Sequence, residues 1–294
     1  MTEPIDVSIC MVSLNCWDVL RDCLDSLREA DRDYKHEIIM VDNASTDDTV
    51  TNTLAEFPEV RIIRNTANVG FTIATNQAIR ASSGKYILWL NTDTILQSDS
   101  ITRLIRFLEK TPSAGIAGPK VLNADGSFQW QCRRGMPTPI ASLAYLVGLD
   151  RIFPKSRMFG EYLKRYLPVD KQNIVTSVSG CCLIARREVW EQIGPLDEDV
   201  FGFGEDIDWC VRAAKTGWQV WYVPDSTIVH LKGKGGVHVR PYAKVRGLHQ
   251  CMWMFYRKHL ATQYSFATTL AVRTAIKLSL YLSLLRVWIA RRLA

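Results

Sequence analysis

The sequence predicts an α/β protein: a doubly wound, mainly parallel sheet with a helical segment appended at its C-terminus. Three observations carry this. Short apolar runs alternate with stretches of helical spacing from Asp6 to Lys110. The polar residues with chemical reach fall where those runs end. After Asp225 the composition turns basic and apolar. A chain of 294 residues with 47% hydrophobic composition is long enough for one large domain with a substantial core.

Residues 6–15, DVSICMVSLN, form a first strand ending in polar residues, and Leu20, Cys23, Leu24 and Leu27 follow at helical spacing. HEIIMVDN is a second strand, and Ser45 with Asp48 three residues later reads as a capping box opening a helix through Leu54. VRIIRN is a third strand, with a helix from 71 to about 81, and YILWLN is a fourth. A helix over 98–110, the run AGIAGPKVL and a turn at NADGS come next. Residues 136–172 show no period and are expected as a loop or a cover over a site. IVTSVSGCCLIARREVW reads as a strand entering a helix, and a further helix starts near Glu205 and stops at Gly217. QVWYVP and STIVH are read as two short strands. The expected divisions are 1–135, 136–235 and a basic, apolar helical tail over 236–294.

In such a sheet ligands sit beyond the carboxyl ends of the strands. Asn15, Asp42, Asn43, Asn91 and Asp93 all lie at those ends. Asp42 can accept a hydrogen bond from an imide N–H, which uracil, thymine and guanine offer and adenine and cytosine do not. Asp93 suits a hard divalent cation, and His230 at the end of STIVH is a candidate nitrogen ligand that shifts preference towards Mn²⁺. Lys232 and Lys234, in LKGKGGVH, form either a phosphate-covering loop or a flexible basic one. Glu205, Asp206 and Asp208 cluster at a helix start, where the dipole alone favours acids and also keeps a proton-accepting base ionised. Phe201, Phe203 and Trp209 flank them as pocket walls or as core.

The segments VSLN, VDNASTD, NVGFTIATNQA, LWLNTDT, SGCCLIARREVWEQIGPLDE and FGEDIDWCVRAAKTGW, in this order, resemble the GT-A glycosyltransferases of family 2, most closely the bacterial rhamnosyltransferase-like members. The resemblance runs from about Val7 to His230. It implies that Ser13, Asn15 and Asp42 contact the nucleotide, with Asn43 and Asn91 beside them, and that Asn68 and Asn76 shape the donor site. It makes Asp93 the second acid of a D-x-D-type metal motif whose first position is Asn91, with His230 as a further ligand for Mn²⁺ or Mg²⁺. Asp206 becomes the catalytic base, and Gly180, Glu205, Asp208 and Trp209 the acceptor side. Thr75 stands where family members often carry glycine. The implied reaction is inverting transfer from a dTDP- or UDP-sugar to a glycan or lipid-linked acceptor, with the diphosphate's departure helped by the metal and by Lys232 or Lys234.

Other classes fit less well. A nicotinamide-dependent oxidoreductase needs a G-x-G-x-x-G turn after the first strand, which VSLNCWDVL lacks. A nucleotidyltransferase is expected to carry a Gly-rich basic loop there, also absent. A non-catalytic sugar-nucleotide or glycan binder on the same fold is the alternative.

Of 36 Lys and Arg, 12 follow Asp225 with no acid among them, leaving 24 against 30 acids before. The C-terminal part is net +12 and the rest net −6. Such asymmetry points to a polyanion, anionic lipid or nucleic acid. With a lipid-linked acceptor implied, the membrane surface is the expected partner and nucleic acid is not. Arg273, Lys277 and Arg286 leave no charge-free run near the roughly 20 residues that span a bilayer. A helix lying on the membrane, broken or snorkelling, or a dimer helix is expected instead. The eight cysteines include no C-x-x-C pair and follow no secretory signal. Buried thiols in a reducing cytoplasm, with Cys181 and Cys182 as core, and a location on the membrane's cytoplasmic face are expected.

Overall fold

The computed structural model describes residues 4–30, 33–199, 203–233 and 241–293; Phe201 and Lys234 lie outside the described residues. The first half follows the expected alternation: β1 (Val7–Ser13), α1 (Trp17–Ala30), β2 (His36–Asp42), α2 (Thr49–Glu56), β3 (Val60–Arg64), α3 (Phe71–Arg80) and β4 (Tyr86–Leu90). β1 and β4 are almost wholly buried, as strands covered by helices on both faces must be. α1 turns Leu20, Cys23, Leu24 and Leu27 inward, the stripe its spacing predicts. β1 pairs in parallel with β2 from Val7↔His36 to Ser13↔Asp42, so those two strands deliver Ser13 and Asp42 side by side.

The capping box does not form. α2 begins at Thr49, whose N–H is accepted by Asp47 Oδ1 (3.1 Å), while Ser45 Oγ accepts from the Asn15 N–H (2.9 Å). The Ser45 hydroxyl is consumed by the neighbouring strand end rather than by its own helix.

After β4 come β5 (Thr94–Leu96), α4 (Ser100–Lys110), β6 (Ala114–Leu122), β7 (Arg133–Arg134), α5 (Pro139–Leu146) and α6 (Leu149–Ile152). Then follow β8 (Asn173–Ile174), β9 (Ser177–Val178), β10 (Cys182–Arg186), α7 (Arg187–Ile193), α8 (Glu205–Lys215), β11 (Gln219–His230), α9 (Pro241–His259) and α10 (Phe266–Leu293). The main sheet runs β3-β2-β1-β4-β10-β6-β11-β5 with β8 also on β11, so residues on both sides of position 135 share it. β10 is antiparallel to β4 and β6, and β5 to β11; the other long pairings are parallel.

The structure departs from the expectation, or sharpens it, at four places. The run 174–190, expected as a strand entering a helix, does end in a helix, α7, but its strand is broken at Gly180: β9 pairs with β7, and β10 joins the main sheet. QVWYVP and STIVH are a single strand, β11, with a register shift between Val223 and Thr227 that absorbs Pro224. Within 136–172, α5 starts at Pro139 with Thr138 Oγ1 accepting the Ala141 N–H (3.3 Å). Its period was hidden because Ile140, Leu143 and Leu146 are apolar yet exposed while Ala141 and Ala144 are buried. α10 is also one continuous helix. It runs antiparallel to α9 through Tyr256–Thr269 (3.0 Å) and His249–Ser279 (3.1 Å). No described helix is long and apolar enough to cross a membrane. All eight cysteines are free and buried, Cys181 and Cys182 among the core.

Candidate active site

Three strand ends meet at one rim. Asp42, buried at the end of β2, accepts from the Ser45 N–H through Oδ2 (3.1 Å) and faces the Ser13 hydroxyl (3.4 Å). Asn15 sits at a positive φ of 47° with Oδ1 accepting the Thr46 N–H (2.7 Å), so it pins the loop between β2 and α2. Asn43 is the hub of the next loop: Nδ2 donates to Asn68 Oδ1 (2.9 Å) and Oδ1 accepts the Val69 N–H (3.1 Å). Ser13, Asn15, Asp42, Asn43 and Asn68 are thus brought together. Asn76 is not. It is fully buried on α3, with its amide spent on Leu196 and Glu198 (2.9 to 3.0 Å), and it anchors the loop before α8.

The second cluster is built by the antiparallel pairing of β5 and β11, which sets His230 opposite Thr94. His230 Nε2 lies 3.2 Å from Asp93 Oδ1. On its other side His230 Nδ1 is 3.0 Å from Gln129 Oε1, and Gln129 Nε2 donates to Asn123 Oδ1 (3.0 Å). An amide carbonyl can only accept, so Nδ1 carries a proton and Nε2 is the ring nitrogen presented to Asp93. Burial alone would push His230 down; Cys181 and Asp93 prevail and raise it to about 10. Among the described residues no three His, Cys, Asp or Glu side chains converge as a closed metal cage. The donor set fits a divalent cation provided that the cation displaces the Nε2 proton shared with Asp93. A separation of 3.2 Å is close to the roughly 3 Å edge of an octahedron with bonds of about 2.1 Å. Asn91 Oδ1 is buried without a hydrogen-bond partner, an oxygen left over for a ligand. Lys232 follows at an exposed position with φ 56°.

Asp206 forms the third cluster. It stands in the first turn of α8, entered through Gly204 at φ 86°. Its Oδ2 accepts from Arg134 (2.5 Å) and from the Gly180 N–H (2.8 Å), and Oδ1 accepts the Ile207 N–H (2.7 Å). Burial would lower Arg134, yet Asp206 outweighs it and holds the guanidinium firmly protonated. Glu205 is buried with Oε2 unpartnered, and burial, then the Asp206 charge, push its carboxyl up. Gly180 has no room for a side chain: a Cβ would meet Trp89 at 2.8 Å and the Asp206 Cβ at 3.3 Å. The following residue, Cys181, accepts the Asn91 N–H through its carbonyl (2.9 Å). Two consecutive residues therefore join the Asn91–Asp93 turn to the candidate base.

Two of the acceptor-side candidates are engaged by neighbouring elements. Asp208 points away from Asp206. Its Oδ1 receives His259 Nε2 (2.7 Å) and Lys258 Nζ (2.8 Å), and its Oδ2 receives Arg212 Nε (2.9 Å). Burial would raise this carboxyl, but the hydrogen bonds from His259 and Lys258 and the charges of Lys258 and Arg212 hold it at about 2, so it clamps α9 to α8. Trp209 is core, with its indole N–H on the Gly194 carbonyl (3.0 Å) and its ring tilted against Trp190. Arg134, Gln129, Lys258 and His259 escaped the sequence reading. Each is distant in sequence from its partner, and a lone Arg-Arg pair before an aperiodic stretch carries no signal.

Beside this cluster opens a cleft of about 280 Å³, walled by α5, α8, α9 and α10 and floored in part by Arg134 and Tyr162.

Residues 8–194 match the model of the family described as Glycosyl transferase family 2. The N-acetylglucosaminyl-diphospho-decaprenol L-rhamnosyltransferase of Mycobacterium tuberculosis is 30% identical over 206 residues, 66% of this chain and 66% of that relative. The dTDP-rhamnosyl transferase RfbF of Shigella flexneri is 26% identical over 205 residues, 69% of this chain and 62% of RfbF. The chain thus spans somewhat under two thirds of those relatives' length. Among solved structures, the mannosyltransferase PcManGT from Pyrobaculum calidifontis, in complex with GDP-Man and Mn²⁺, superposes with a TM-score of 0.59 at 19% identity, covering 96% of this chain and 73% of that one. TarS of S. aureus gives 0.60 at 14%, covering 91% and 42%. At such identities these structures establish the fold alone, and it is the expected GT-A fold. With more than half of its length matched and the strand-end motifs assembled at one rim, the chain belongs to glycosyl transferase family 2.

Proposed function

We propose that this protein transfers a sugar, rhamnose or a similar hexose, from a dTDP- or UDP-sugar to a glycan or lipid-linked acceptor in cell-surface polysaccharide synthesis, with inversion at the anomeric carbon. The observation that carries the reading is the Gly180–Cys181 link. It sets a buried carboxylate next to a rim suited to a nucleoside diphosphate. Names of the relatives, both rhamnosyltransferases, support the sugar class.

Asp206 Oδ2 is occupied by Arg134 and Gly180, while Oδ1 accepts a single N–H from its own helix and retains acceptor capacity. In the proposed step Oδ1 takes the proton of an acceptor hydroxyl. That oxygen bonds to the anomeric carbon as the bond from this carbon to the phosphate oxygen breaks, its electron pair leaving with the diphosphate. Asp93 and His230, with Asn91 beside them, would hold a divalent cation, which when bound neutralises charge developing on the diphosphate. Ser13, Asp42 and the Asn15-pinned loop receive the nucleoside, and Lys232 is free to approach the phosphates. The protein works, in this reading, at the cytoplasmic face of a membrane. Support comes from α10, where Leu278, Leu282, Leu285 and Ile289 are exposed among basic residues.

The test is Asp206→Asn. It keeps size and most hydrogen bonding but cannot accept the proton, so transfer should fall by about 10²- to 10⁴-fold while nucleotide binding survives. Wild-type turnover by this variant sinks the assignment, and a wild-type protein that binds sugar nucleotides without ever consuming them is a binding protein.

A further inference from the structure

The cleft beside Asp206 is apolar where a sugar-binding pocket would be polar. Leu143 and Leu146 of α5, Ile207 of α8, Met252 and Phe255 of α9 and Ile276 of α10 line it. Its polar end holds Arg134, Tyr162, and the Asp208–Lys258 pair. Arg134 is the residue that grips Asp206, and its Nε is buried with no hydrogen-bond partner. The cleft therefore ends at the guanidinium that holds Asp206, although Asp206 itself is not part of its wall. Outside it the apolar character continues: Ile140 on α5, Val147 just after it, and Leu278 and Leu282 on α10 are exposed.

We propose that this cleft is the subsite for the lipid chain of a lipid-linked acceptor, seating the chain between α5 and α10 with the polar head at Arg134 and Asp206. The inference rests on the glycosyl-transfer reading and deepens it by naming the acceptor class. An occupant that reaches from Arg134, beside the proposed base, along an apolar cleft to an exposed apolar rim is amphiphilic, with its reactive end polar. α9 and α10, two walls of the cleft, carry no acid, so an anionic, phosphate-linked amphiphile is attracted to this face. A second copy of this chain is a poor occupant. A symmetric contact on this face would set two acid-free, basic helical hairpins against each other.

The experiment titrates the full chain, with UDP and Mn²⁺ present, with farnesyl phosphate, inorganic phosphate and vesicles of anionic phospholipid. Farnesyl phosphate should bind, inorganic phosphate should not, and vesicles should not displace it. Ala275→Trp and Ser142→Trp fill the cleft from opposite walls. Each should weaken farnesyl phosphate about tenfold or more, because several methylenes lose their burial, with the UDP-dependent thermal shift unchanged. Equal affinity in wild type and both variants, equal binding of inorganic phosphate, or displacement by vesicles overturns the proposal. Should either variant lose its UDP shift, a photoreactive farnesyl phosphate on the wild type decides: crosslinks on α5 and α10 support the subsite, and crosslinks elsewhere refute it. The functional reading fails separately. A protein that binds the chain here yet never consumes a sugar nucleotide keeps its subsite and loses the transferase role; one that glycosylates soluble acceptors normally in both filled variants, without binding farnesyl phosphate, does the reverse.

Discussion

Asp206 and Asp208 stand two residues apart on one helix and serve different neighbours. At about 100° per residue they project about 200° apart, Asp206 towards Arg134 and Gly180, Asp208 towards α9. The sequence revealed both acids but not their directions. Asp93 with His230 was legible because both close short apolar runs. Arg134 was not, since a salt bridge across 72 positions leaves no periodic trace. Arg134→Met leaves a buried carboxylate unpaired and should destabilise the fold by about 3–5 kcal/mol, measured by urea unfolding. Adding Asp206→Asn should recover much of that loss, as the pair acts as a unit. Asp93→Ala should abolish the Mn²⁺-dependent part of the thermal shift given by UDP while leaving the metal-free part; a full shift in that variant assigns the metal elsewhere. Glu205 has its folded pKa raised, to about 8, so the fold favours its neutral form. Stability is lost as pH rises from the ordinary carboxylate range through that value. Glu205→Gln should accordingly gain in melting temperature over wild type by more at pH 9 than at pH 5.

At the scale of elements, register does the positioning. β5 has only three residues, yet its antiparallel pairing with β11 puts His230 beside Asp93, and a slip of one residue would turn the imidazole to the other face. The sequence did not reveal β5, because TIL is too short to show a period. It did reveal β1 to β4, whose apolar runs are bounded by polar residues. The break at Gly180 was invisible for a different reason: what forbids a side chain there is Trp89, from another strand. Gly180→Ala should cost about 1–3 kcal/mol through overpacking and shift the N–H that holds Asp206, lowering kcat more than it raises KM. The α8–α9 joint is electrostatic. Asp208 has its folded pKa depressed to about 2. Its contribution, about 2 kcal/mol by linkage, is fully present above pH 4 and is lost as pH falls from 4 to 2. Protease cleavage of α9 and α10 should rise over that window, and Asp208→Asn should show it already at neutral pH.

Over the whole molecule, the doubly wound body was readable from alternation, whereas the tail was readable only as composition. Basic and apolar residues without acids predicted a surface role. That α9 and α10 fold back on each other, and that α9 docks on the Asp208 clamp, depends on contacts between distant residues. Removing residues 262–294 should leave UDP binding intact and move the protein off anionic vesicles; a truncated protein that still sediments with them refutes the membrane role, and one that only loses a dimer favours the alternative. The shift in β11 has a consequence of another kind. Its outer edge is taken by β8 at Trp221 and Tyr222 and by β5 from Ile228 to His230, with the irregularity between them. The opposite edge, β3, is five residues long and carries Arg61 and Arg64. Neither border offers a long, flat, uncharged template to another chain, so the sheet resists edge-to-edge aggregation even where many copies crowd onto one surface.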